Sequence, residues 1–148
     1  MNEKEKNDVY YVCCLIEFIG RQTKNKRSEV VKKIGKEGLQ YLYKTAEVNH
    51  CLTFEQVSDE VIEKYNIKQG EFDTISTCKY TVPSFMAIGK DYRRLVEDVQ
   101  GENTIVDTIY NVFTSFISDA ISNFNTSTYY SSREYLSESY KAGYLLED

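Results

Sequence analysis

Histidine occurs once in these 148 residues, proline once and tryptophan not at all. Each shortage removes something. With a single imidazole, at His50, no two histidines can share a metal, and acid–base chemistry near neutral pH loses its commonest agent. The seven glycines are scattered, with no Gly-x-Gly-x-x-Gly or Walker loop to wrap a phosphate. The apolar runs Val9 to Ile16 and Val112 to Ile121 fall far short of the roughly 20 residues that a membrane-spanning helix requires. The opening Met-Asn-Glu-Lys-Glu-Lys-Asn-Asp carries charges of both signs and has no feature of a secretory leader. A cytoplasmic protein is expected. Cys13, Cys14, Cys51 and Cys78 contain no Cys-x-x-Cys spacing, so free thiols packed as small hydrophobes are expected.

What is present is ordinary for a folded domain: 41% apolar and 28% charged residues, in a length that can bury a core without disulfides or metals. Val9, Val12, Cys13, Ile16 and Ile19 recur at helical spacing behind Asn7 or Asp8, which predicts a first helix over 8–22 ended by Gly20 and the polar run Thr23 to Lys26. Ser28 caps a short second helix stopped by Gly35, and Leu39, Leu42, Tyr43, Ala46 and Val48 mark a third. Thr53-Phe54-Glu55-Gln56 is a capping box for a fourth, carrying Val57, Val61, Ile62 and Tyr65. A fifth runs from Phe85 to Val99 behind Ser84. Ile105 to Phe124 gives a wide apolar stripe, predicted as one long helix at the centre of the core. Ser131-Ser132-Arg133-Glu134 opens the last, which stops near Gly143.

Between these halves the periodicity fails. Thr74 to Val82 is rich in β-branched residues and reads either as a short strand or as an extended connection. The expectation is therefore a mainly α protein, a bundle of about seven helices. Residues 1–66 form an N-terminal lobe, 67–83 a connection and 84–148 a C-terminal lobe, packed as one domain.

Chemistry-bearing constellations are few. Glu47-Val48-Asn49-His50 has the spacing of a helical di-iron ligand pair, but such centres use two pairs and the second is missing. The Arg-to-His spacing of helical RNases has no counterpart before His50. Asp59-Glu60 and Glu97-Asp98 read as solvated helix faces. No catalytic residue, metal or cofactor is expected.

Charge and aromatics say more. From Arg21 to Lys36 the chain holds Arg21, Lys24, Lys26, Arg27, Lys32, Lys33 and Lys36 against Glu29 alone, in a protein of net charge −5. This segment reads as a solvated face, a contact for an acidic protein, or a nucleic-acid surface. Thirteen tyrosines include Tyr129, Tyr130, Tyr135, Tyr140 and Tyr144 near the C-terminus, residues that serve equally for packing the last helix and for an interface.

Leu15-Ile16-Glu17-Phe18-Ile19-Gly20-Arg21, Thr23-Lys24-Asn25, Glu47 to Leu52 and Glu55 to Glu60 resemble a small helical family of unknown function from Firmicutes. Ile88-Gly89-Lys90-x-Tyr92-x-Arg94-Leu95 and the Tyr129-Tyr130 to Tyr144 region resemble a second block seen with it. Members are often encoded beside ADP-ribosyltransferase-like proteins, in an arrangement like that of toxin and antitoxin. The resemblance implies a non-catalytic interaction protein, an antitoxin-like antidote to a partner enzyme, and assigns no chemistry to any residue. A nucleic-acid-binding regulator using residues 21–36 is the alternative, and a homo-oligomer is compatible with either.

Overall fold

Asn2 accepts a hydrogen bond from the Glu5 amide while the Glu5 carboxylate accepts from the Asn2 amide, a reciprocal cap that opens α1 (Glu3–Thr23). The helix thus starts ahead of residue 8, and neither Asn7 nor Asp8 is its cap. It passes through Gly20 and ends at Lys24, whose φ of 55° is left-handed. From Val9 to Gly20 only Tyr10 and Phe18 reach solvent. A helix buried on nearly every side lies at the centre of a bundle. α1 is that helix, in place of the expected 105–124 segment.

The structure, a computed structural model, describes residues 1–147; Asp148, the last residue of the expected C-terminal lobe, lies outside the described residues. Among them are eight α-helices and one 3-10 turn, and no strand. The mainly α expectation holds. α2 (Arg27–Lys44) is bent at Gly35, whose φ of 72° divides it where the second and third helices were expected to part. It opens at Arg27 without a side-chain cap, so Ser28 does not serve as one. Its second half stops at Thr45, whose hydroxyl donates to the Tyr41 carbonyl, and one further turn, α3 (Ala46–Asn49), follows. α4 (Phe54–Lys64) opens on the Thr53–Gln56 box as expected, and α5 (Phe85–Val99) on Ser84, which accepts from the Ala87 amide.

The long helix expected from Ile105 is two helices, α6 (Ile105–Phe113) and α7 (Phe116–Ser122). Thr114 and Ser115 break it. The Thr114 hydroxyl donates to the Tyr110 carbonyl and that of Ser115 to the Val112 carbonyl, each at 2.7 Å, and Ser115 Oγ then accepts from the Ile117 amide. Side chains that bond local backbone offer it an alternative to the helix. A 3-10 turn (Thr128–Tyr130) leads to α8 (Arg133–Ala142), capped by Ser132 rather than Ser131 and stopped at Gly143 with φ 88°.

Residues 67–83 form no strand. The Gly70 and Phe72 amides donate to the Thr23 and Lys24 carbonyls, both at 2.8 Å, which fastens the connection across the α1–α2 turn. The Asp73 carboxylate then accepts from the Ile75 and Ser76 amides and the Ser76 hydroxyl, while the Lys79 amide donates to Asn125. Backbone groups occupied in this way are not available to a ladder.

α1 packs most extensively on α5, with α2, α3 and α4 around it, and α2 in turn packs on α6. Phe85 lies against Phe18 and Lys6 reaches Glu97, so α5 runs antiparallel to α1. One apolar cluster joins residues from both sides of the connection, from Val9 to Leu136. Each fully buried aliphatic or aromatic side chain there contributes about 1.5–3 kcal/mol of transfer free energy.

Candidate interaction surface

The basic segment is largely answered within the chain. Arg27 is 1% exposed and Glu17 0%, and the guanidinium donates Nε and Nη2 to the two Glu17 oxygens at 2.9 and 2.8 Å. Burial works to lower the Arg27 pKa, but the Glu17 charge and hydrogen bonds outweigh it and leave it raised. Arg21 donates to the same carboxylate at 2.7 Å and lies 5.1 Å from the Phe124 ring centroid. Lys24 faces Asp73, Lys26 faces Asp119, Lys32 faces Glu29 and Lys36 faces Asp107, at 3.2 to 3.9 Å. Of the segment's cations only Lys33 has no such partner among the described residues. It lines a shallow depression with Asn25, Ile67 and Lys68.

The C-terminal tyrosines divide by role. Tyr129 stands edge-on to Phe124 and Tyr130, and it packs against the core with Tyr135 and Tyr140. The Tyr135 hydroxyl donates to the Leu146 carbonyl at 2.7 Å, and Ser139 Oγ accepts from the Leu146 amide, so the tail folds back on α8. Tyr130 and Tyr144, 68% and 62% exposed, are the two left open to solvent.

A larger aromatic surface lies elsewhere. Phe18 of α1, Phe54 at the start of α4 and Phe85 at the start of α5 meet with ring centroids 5.0 to 6.0 Å apart, and each stays partly exposed. Tyr11 stacks on Phe54 at 5.2 Å and against His50 at 4.8 Å. Leu52 and Met86, both exposed, stand in sequence beside this cluster. Toward the α1 N-terminus the flanking helices diverge, leaving a trough of about 620 Å³ lined by Lys4, Asn7, Asp8, Tyr10, Glu47 and His50. A smaller depression of about 270 Å³ adjoins it through Asn7 and Tyr10, lined also by Glu3, Lys6, Lys90 and Arg93.

Sequence reasoning passed over this surface because each member reads as core. Phe54 and Phe85 each follow an N-cap, and a first-turn side chain lies beyond its own helix, where it meets another element's end. The available signal was the Ser/Thr-Phe opening of α4 and α5, which α7 shares at Ser115-Phe116 without joining the cluster.

The polar groups show how little acid–base machinery converges here. Glu47 faces Lys4 at 3.6 Å, and the His50 imidazole lies against an aromatic ring. Burial pushes the Cys14 thiol up to about 12 and that of Cys13 well above its ordinary value, whereas Cys51 is exposed. Burial also raises the Asp91 carboxyl to about 7, against the charges of Arg94 and Lys90. Among the described residues no three His, Cys, Asp or Glu side chains are grouped so as to hold a metal. No helix there is long and apolar enough to cross a membrane. No family model, curated protein or solved structure matches this chain.

Proposed function

We propose that this chain is a non-catalytic protein-interaction module, an antidote that binds and blocks a partner enzyme of the ADP-ribosyltransferase-like kind that the resemblance implies. The observation that carries the reading is the partly exposed aromatic cluster of Phe18, Phe54 and Phe85, with exposed Leu52 and Met86 next to Phe54 and Phe85 in sequence. Aromatic residues and methionine are enriched at protein interfaces, where rigid rings bury area at low entropic cost. The nucleic-acid reading draws less support, because every cation of residues 21–36 except Lys33 already faces a carboxylate of this chain.

Co-expression with the product of the neighbouring gene tests it. A stable complex is expected by size-exclusion chromatography, together with loss of the partner's enzymatic activity. Leu52→Ser with Met86→Ser is expected to weaken that complex while leaving the melting temperature of the free protein nearly unchanged. A partner that neither co-purifies nor loses activity would remove the reading.

A further inference from the structure

The segment Ile88 to Leu95 has two residues whose placement packing does not explain. Gly89 lets α5 approach α1, since a Cβ there would overlap the Cys14 thiol and stand 3.0 Å from the Cys14 Cα. Tyr92 is buried, stacked on Phe113 at 4.0 Å, with its hydroxyl donating to Ser118 Oγ at 3.1 Å. Ile88 and Leu95 belong to the core. Lys90 and Arg94 form no ion pair among the described residues. They are like charges at i and i+4, a spacing that costs a helix about 0.2–0.5 kcal/mol.

Lys90 shares its depression with Lys6, Arg93, Tyr10 and Asn7, so two helices bring three cations, a phenol and an amide to one place. Two carboxylates stand near: Glu3 faces Lys6 at 3.6 Å, and Glu97 holds Arg93 at 3.1 Å and approaches Lys6 at 3.9 Å. Glu97 is also engaged by Arg133 at 2.9 Å, which leaves it divided among three cations. Arg94 itself lines a separate small cavity with Asp91, Ser131, Arg133 and Leu136, where burial holds the Asp91 carboxyl near 7. It therefore offsets only part of the charge of Lys90 and Arg94 at neutral pH.

We propose that this face of α5, with Lys90 at its centre, Lys6, Arg93 and Tyr10 beside it in the depression and Arg94 one turn on at its edge, binds a carboxylate-bearing segment of the protein partner. The inference rests on the interaction role above and gives that partner a chemistry. The depression of about 270 Å³ has room for one or two inserted side chains. A localised carboxylate also fits better than a nucleic-acid backbone. A polyanion would meet Glu3, Glu47 and the chain's net charge of −5 as well as the cations.

Titration of the ¹⁵N-labelled protein with a capped eight-residue glycine–serine peptide carrying two adjacent glutamates, followed by NMR, tests the site without the partner. Saturable amide shifts are expected at Lys6, Tyr10, Lys90 and Arg94, fading as salt is raised. Lys90→Gln with Arg94→Gln is expected to weaken that binding about tenfold or more in a protein whose circular dichroism spectrum remains that of the wild type, and to weaken the co-expressed complex likewise. Three results would overturn the proposal: no saturable shift, shifts centred on Lys33 and Lys68, or an oligothymidylate of equal length moving the same amides at lower concentration. If a complex still forms after such a failure, the interaction role stands and this site alone falls. If the peptide binds as expected but no complex forms, the interaction role falls and a carboxylate site remains.

Discussion

The side chain of Arg27 occupies the space that a side chain at residue 20 would need. A Cβ added to Gly20 would overlap Arg27 Cδ and stand 2.7 Å from Nε. Glycine inside α1 is therefore not a helix stop; it is the gap through which a cation from the next helix reaches buried Glu17.

Gly20→Ala is accordingly expected to destabilise the protein by about 1–3 kcal/mol through overpacking, despite alanine's better helix propensity. Arg27→Met leaves the buried Glu17 carboxylate to Arg21 alone and is expected to cost about 3 kcal/mol, and pairing it with Glu17→Leu recovers part of that loss. Urea denaturation of the single and double variants reads the coupling. Additive losses would show that the two side chains do not act as a pair.

Asp91 makes the protein's stability depend on pH in an unusual direction for a carboxylate. Its native value of about 7 lies above the ordinary unfolded value near 3.9, so the native state keeps a proton that the unfolded chain has released between those limits. The penalty grows as pH rises through that window and stands in full above about pH 7. Asp91→Asn is expected to be more stable than wild type by about 1–2 kcal/mol at alkaline pH, a figure discounted for the carboxyl's partial contact with water. The difference should vanish near pH 4. Thermal melts across that range measure it, and a constant offset would exclude Asp91 as the source.

Gly70 holds the connection against the α1–α2 turn. A Cβ there would overlap Asn25 Oδ1 and lie 2.5 Å from the Lys24 carbonyl oxygen, which is backbone and cannot swing away. Gly70→Ala is expected to cost about 1–3 kcal/mol and to speed hydrogen exchange at the Gly70-equivalent and Phe72 amides. Unchanged protection at Phe72 would mean that the connection is held by other contacts.

The four thiols should react in order of exposure. Iodoacetamide is expected to label Cys51 first and half-buried Cys78 later, with Cys13 and Cys14 reacting only on unfolding. Peptide mass spectrometry after timed quenching gives the order directly.

Local signals were legible where one residue's chemistry decides the outcome. Thr53 with Gln56 and Ser84 cap the helices they were expected to cap, and Gly35 and Gly143 stand where helices bend or stop. What was not legible depends on partners distant in sequence. Arg27 reads as one more cation in a basic run until Glu17 is seen beside it. Thr74 to Val82 reads equally as a strand or as an extended connection until Asp73 and Asn125 are seen to take its amides. The apolar stripe of 105–124 hides its own break, because Thr114 and Ser115 interrupt the backbone without interrupting the hydrophobic period. Of the surface, the sequence marked the exposed Tyr130 and Tyr144 but not the rings of Phe18, Phe54 and Phe85, which meet only in three dimensions.

The central position of α1 has a consequence for how the chain comes into being. In synthesis α1 precedes the helix that covers it most, α5, which begins only at Phe85. During synthesis the stretch from Val9 to Ile19 must wait, apolar and incompletely shielded, while more than half of the polypeptide is still being made. Such a nascent chain is a natural client for chaperones, and slow codons placed before residue 85 would lengthen its exposure and lower its soluble yield.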